Sequence, residues 1–103
     1  MPQSIIAYTF KTGSEEEWRR RIAAMVGQMN DDPDLKGRIA YRVLKERNGQ
    51  RYWHIASAVD DAELKALQSK DYFRSYQAAT RDASAGTHEV IGTETIAETT
   101  FRG

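Results

Sequence analysis

Residues 37–59 read GRIAYRVLKERNGQRYWHIASAV, and they decide the fold. Two segments of alternating character flank Asn48-Gly49, the dipeptide of a two-residue β-hairpin loop. Its type I′ turn needs positive φ at both positions. With that pair as the loop, Arg47 opposes Gln50 and Glu46 faces Arg51, an opposite-charge pair that supports the register. The same register sets Leu44 against Trp53, Val43 against His54, Arg42 against Ile55 and Tyr41 against Ala56. One face of the hairpin then carries Ala40, Leu44, Trp53, Ile55 and Val59. The other carries Ile39, Tyr41, Val43, Tyr52, Ala56 and Ala58. Both are largely apolar, whereas a sheet with one side in water shows a polar face. Each face needs a cover.

Upstream, SIIAYTFKT (residues 4–12) reads as a first strand, with Ile6, Tyr8 and Phe10 on one face and Ile5, Ala7 and Thr9 on the other. The period then changes. Ser14 and Glu17 form a capping box. Trp18, Ile22, Met25, Val26 and Met29 make one apolar helical stripe. Glu15–Arg19, Glu16–Arg20 and Glu17–Arg21 are i,i+4 pairs, so the arginine run reads as a solvated helix face rather than a phosphate patch. Pro33 ends this helix, because it disfavours helical geometry at Asp32. Downstream, Asp60 or Asp61 caps a second helix running to about Asp82. HEVIGTETIAETTF (residues 88–101) is a last strand, alternating on Val90 and Ile96 against Ile91 and Ala97. With no repeat or linker, residues 1–103 form a single domain.

Fifteen basic and fifteen acidic side chains cancel in a chain of 103 residues. A balanced charge gives no electrostatic reason to expect nucleic acid or an anionic membrane as partner. There are no cysteines, which excludes disulfides, thiolate nucleophiles and cysteine metal sites. The start has no signal-peptide pattern, and no apolar run approaches the ~20 residues of a membrane span. The expectation is a cytoplasmic protein.

The order β-α-β-β-α-β is the α+β, ferredoxin-like arrangement: an antiparallel sheet with right-handed crossovers placing both helices on one face. Two helices cover one apolar face only. A second copy of the chain would cover the other, so the expected assembly is a homodimer packed sheet to sheet.

With this order and length, the Asn-Gly hairpin, and DDAELKALQSKDYFRSY after the third strand, the chain resembles the antibiotic biosynthesis monooxygenase family. The resemblance spans nearly the whole chain. Asp60, Leu64 and Phe73 match the acid, leucine and phenylalanine of the family's second-helix segment. It implies a dimeric α/β barrel. It also implies a cofactor-independent monooxygenase acting on a small phenolic or quinol aromatic compound. There are departures. Ala56 and Ala58 stand where many members place Glu-x-Trp, and Leu67 stands where a histidine is frequent. Leu67 and Gln77 also occupy the positions of the tryptophan and haem-ligating histidine of the related haem-degrading branch. Haem chemistry is therefore not implied.

Two histidines far apart, without cysteine or a His-x-x-x-His spacing, point to no metal, and no phosphate-binding loop implies a nucleotide or flavin. No cofactor is expected. His88, near a strand start, reads as exposed. His54 titrates near neutrality in mid-strand, on the face of Tyr41, Ala56 and Ala58, where small side chains leave room. It is either a half-buried structural histidine or the base that removes a phenolic proton. Phe73 and Leu67 read as core. Tyr72 and Tyr76, with Tyr8 and Tyr41, are candidates to rim a pocket for a small aromatic ligand. Two functions stay open, the monooxygenase and a non-catalytic dimeric α/β-barrel protein that binds a small ligand. RNA-recognition domains share the element order. Their Arg/Lys-Gly-Phe/Tyr motif is missing from QRYWHIASAV.

Overall fold

Strands pair as the alternation requires. The computed structural model describes residues 2–99. Its elements are β1 (Pro2–Thr9), α1 (Glu15–Asp31), β2 (Ile39–Lys45), β3 (Arg51–Ala58), α2 (Asp61–Gln68), α3 (Asp71–Ala83) and β4 (Glu89–Glu94). They form an antiparallel ferredoxin-like sheet in the order β2-β3-β1-β4. The hairpin register is the expected one, with Tyr41 opposite Ala56 and Val43 opposite His54.

The turn differs from expectation. Neither Asn48 nor Gly49 has positive φ. The Gly49 amide instead donates to the Glu46 carbonyl, and the Glu46 amide donates to the Arg51 carbonyl. The loop is therefore wider than two residues. Lys45 Nζ ties it shut by donating to the Gly49 carbonyl at 2.7 Å. Register survives because Glu46 and Arg51 still face each other. A Cβ at 49 would meet the end of the exposed Glu46 side chain, which can swing aside, so neither space nor φ demands glycine there.

β1 ends at Thr9 rather than Thr12, because the Lys11 and Thr12 amides turn away to the Ala83 carbonyl at the end of α3. Ser14 Oγ caps α1 through the Glu17 amide. Of the three expected i,i+4 pairs, Glu16–Arg20 is in ion-pair contact among the described residues. Glu15 instead accepts the Tyr52 hydroxyl at 2.6 Å.

The expected second helix is two, broken at Ser69 and Lys70. Leu67 and Phe73 are both buried, at 1% and 4% exposure. On one continuous helix, residues six apart point ~120° from each other. The break brings both into one core. Ser69 Oγ donates to the Ala66 carbonyl, and Lys70 Nζ spans to Asp34 at 2.6 Å and Asp32 at 3.3 Å. β4 stops at Glu94, short of the expected strand end, and Phe101 lies outside the described residues.

The helices cover one sheet face, burying Tyr52, His54, Ala56 and Ala58 of β3. The core has two parts, one around Met25, Leu35, Leu67 and Phe73, the other around Tyr8, Trp18, Ile22 and Tyr52. The outer face carries Ile5, Ile55 and Trp53, with the Arg51 guanidinium 5.2 Å from the Trp53 ring centre. Leu44 and Ile91, on the same face, are 44% and 45% exposed. No helix among the described residues is long and apolar enough to cross a membrane.

Candidate active site

Alternation along β1 and β3 puts Tyr8 and His54 on the covered face of neighbouring central strands, and alternation along β2 adds Tyr41. His54 is 2% exposed. Its Nε2 lies 2.8 Å from the Tyr8 hydroxyl, and its Nδ1 lies 2.8 Å from the Tyr41 hydroxyl. From α1, Trp18 Nε1 donates to the Tyr8 oxygen at 2.9 Å. Tyr52 stacks on Tyr8, centroids 5.4 Å apart and planes 3° from parallel. The result is a buried hydrogen-bonded chain, Trp18–Tyr8–His54–Tyr41.

Hydrogen-bond valence favours one direction of that chain, because it puts the one unpaired hydroxyl hydrogen on the part-buried Tyr41 rather than on the buried Tyr8. Indole N–H can only donate, and a neutral imidazole carries one hydrogen. Were it on Nε2, Tyr8 would accept from both Trp18 and His54. Its own hydrogen would then have no acceptor among the described residues. An unsatisfied buried group of that kind costs ~1–3 kcal/mol. With the hydrogen on Nδ1, Tyr8 donates to Nε2, Nδ1 donates to the Tyr41 oxygen, and the deep groups are all paired. One hydrogen is left over, on the Tyr41 hydroxyl.

Burial sets the electrostatics. Desolvation pushes His54 down from 6.5 to about 4, so it is neutral near pH 7. Desolvation also raises Tyr8, against a smaller opposing effect of the Trp18 N–H, and raises Tyr41, helped by the neighbouring Tyr8. All members of the chain are uncharged.

Beside His54 lies a chamber of about 20 Å³, lined by Tyr41, His54, Ala56, Leu67, Phe73 and Gln77 among others. That holds about one water. The room expected beside Ala56 is taken by Leu67 and Phe73, and Ala58 is packed out of it. Of the four tyrosines singled out from sequence, Tyr8 and Tyr41 meet His54, and Tyr72 and Tyr76 do not. Tyr72 donates to Asp32 Oδ2 at 2.9 Å; desolvation first and that carboxylate second push it up to about 12. Tyr76 lies 5.7 Å beneath the Arg21 guanidinium. Sequence reasoning missed Trp18 as the end of the chain. Its helical-stripe position signals burial but not that its N–H meets Tyr8. His88 is half-buried rather than exposed, and its Nδ1 has no partner among the described residues. Among the described residues, no group of three or more His, Asp or Glu side chains is placed to hold a metal ion.

The sequence matches no known family model and no curated protein. Solved structures do match. An antibiotic biosynthesis monooxygenase superposes with a TM-score of 0.77 at 13% identity, covering 94% of this chain and 100% of that one. SnoaB, a cofactor-independent oxygenase from Streptomyces nogalater, gives 0.75 at 19% identity, covering 94% of each chain. A protein from Methanosarcina mazei Go1 gives 0.75 at 14% identity, covering 89% of each. Identities this low speak for the fold: the chain has the fold of the antibiotic biosynthesis monooxygenases, the family its sequence resembles.

Proposed function

We propose that this protein is a cofactor-independent monooxygenase of small phenolic or quinol compounds, acting as a homodimer joined through the outer sheet face. The observation that carries the reading is the buried chain Trp18–Tyr8–His54–Tyr41 beside a cavity; the favoured tautomer leaves its unpaired hydroxyl hydrogen on Tyr41. A donor fixed in a dry site stabilises an oxyanion without reorganising, which is how such a site favours an ionised phenol. The fold shared with SnoaB supports the same chemistry. The dimer is supported by Leu44 and Ile91, nearly half exposed beside Trp53 and Ile55.

In this reaction the electron-rich anion reduces dioxygen. One oxygen atom replaces two hydrogens on the substrate, and the other leaves as water. Tyr41 touches the substrate oxygen. His54 acts through Tyr41 as a positioning residue, because both its nitrogens are engaged by tyrosines. Parking the phenolic proton on His54 itself is unfavourable. A phenol near ~10 and an imidazole at about 4 differ by ~8 kcal/mol. The proton therefore leaves to solvent, and the site's task is to hold the anion.

Oxygen uptake over a panel of hydroquinones and naphthols, with chelator present, tests the reading. Wild type should consume oxygen with at least one, and Tyr41→Phe should fall ~10²-fold. No uptake with any of them would favour the second reading, a non-catalytic binding protein. The observation on that side is the chamber of about 20 Å³ beside His54, too small for a ring.

A further inference from the structure

At the buried end of the hydrogen-bonded chain, Tyr8 has partners that holding a phenolate at Tyr41 does not require. Among the described residues, Tyr8 is the tyrosine whose oxygen has two hydrogen-bond partners, Trp18 Nε1 at 2.9 Å and His54 Nε2 at 2.8 Å. Tyr41, Tyr52 and Tyr72 each have one. The Tyr52 ring lies flat on the Tyr8 ring. Tyr8 is 3% exposed, yet His54 and Tyr41 connect it to the chamber of about 20 Å³, which has room for about one water.

We propose that Tyr8 is a redox-active tyrosine: a one-electron outer-sphere oxidant takes its electron, and its proton leaves through His54 and Tyr41 to the chamber. Each hydrogen moves one place. The Tyr8 hydrogen passes to His54 Nε2, and the Nδ1 hydrogen passes to the Tyr41 oxygen. The hydrogen that Tyr41 carried passes to a water in the chamber. One electron has gone to the oxidant and one proton to solvent. What stays is a neutral tyrosyl radical, a neutral imidazole of the other tautomer and an intact Tyr41. Two features of the geometry carry the inference. A Tyr8 oxidised with its proton still on would be a buried cation, and a proton halted on His54 would make a buried imidazolium, both costly in a dry site. A second tyrosine on the far ring nitrogen avoids both. After the shift, Nε2–H and the Trp18 N–H both donate to the radical oxygen, and Tyr41 donates to Nδ1, so no bond of the chain is lost. The oxidant belongs to the class of oxygen-centred or organic radicals that incomplete reduction of dioxygen releases. Oxygenase turnover is one source of them, but the inference does not depend on it.

The test uses the whole chain without substrate. Azide radicals made by pulse radiolysis supply the oxidant. Freeze-quenched samples in light and heavy water are read by electron paramagnetic resonance and electron–nuclear double resonance. Wild type should give a neutral tyrosyl radical whose oxygen accepts two exchangeable hydrogen bonds, a pattern that identifies Tyr8 without any variant. Tyr41→Phe closes the proton exit while leaving both Tyr8 partners in place, and should slow formation of that radical ~10²-fold. His54→Gln should slow it as much, because an amide does not pass a proton from one side to the other. Tyr52→Phe keeps a stacked ring and should keep the signal. A radical with one exchangeable hydrogen bond, a tryptophan radical, no radical at all, or unchanged formation in Tyr41→Phe would each overturn the proposal. Oxygen uptake without this radical would remove the redox tyrosine and leave the oxygenase standing; the radical without oxygen uptake would do the reverse.

Discussion

Replacing His54 with glutamine should flatten the acid limb of the stability curve. In the folded chain His54 is held neutral, moved from 6.5 to about 4 by desolvation. The unfolded chain takes up a proton near the ordinary value, while the folded chain resists until about 4. Between those pH values the unfolded state binds more protons, so stability falls as pH falls. Above the ordinary histidine value the contribution is fully present; below about 4 it is gone. The gap from 6.5 to about 4 converts to ~3 kcal/mol at ~1.4 kcal/mol per pH unit. The groups hydrogen-bonded to His54 are tyrosines, which do not titrate in this window, so the difference between wild type and His54→Gln belongs to the imidazole. The assay is urea unfolding followed by circular dichroism at fixed protein concentration, from neutral pH down to about 4. Wild type should lose ~3 kcal/mol more than His54→Gln across the range. Parallel curves would mean that His54 titrates as if solvated and is not held neutral by burial.

Tyr8→Phe strands both the Trp18 N–H and His54 Nε2, so it should cost ~2–5 kcal/mol by denaturant unfolding. Tyr41→Phe leaves only a hydrogen facing a cavity, and should cost ~1 kcal/mol in the same assay. Phe73→Ala, deleting a ring packed edge-on against Tyr41, should cost ~3–5 kcal/mol. Wild type should sediment as a dimer at micromolar concentration, since permanent interfaces bury ~2,000 Å² or more. Ile55→Glu on the outer face should release folded monomer, and a wild-type monomer would remove the sheet-to-sheet assembly.

Period and register were legible because they are local. Alternation on both sides of Asn48-Gly49 aligned Tyr41, Val43 and Leu44 with their partners, and the register held even though the turn adopted other geometry. The break at Ser69 was not legible in the same way. Leu67 and Phe73 each look like core positions of one helix, and only packing against α1 and the sheet demands that both face inward. The site was half legible for a similar reason. Strand alternation is enough to gather Tyr8, Tyr41 and His54 on one face. Whether Tyr72 turns toward them or toward Asp32 depends on where the α1–β2 turn lies, and no spacing encodes that. Empty volume is a property of the packed whole, so the size of the chamber beside His54 has no signature along the chain.

The direction of the His54 hydrogen bonds is the claim on which the donor role of Tyr41 depends, and nitrogen-15 NMR of the imidazole reads it directly. Near neutral pH the ring should be neutral, with the proton on Nδ1 and a bare Nε2 accepting from Tyr8. A proton on Nε2, or a charged ring, would contradict it.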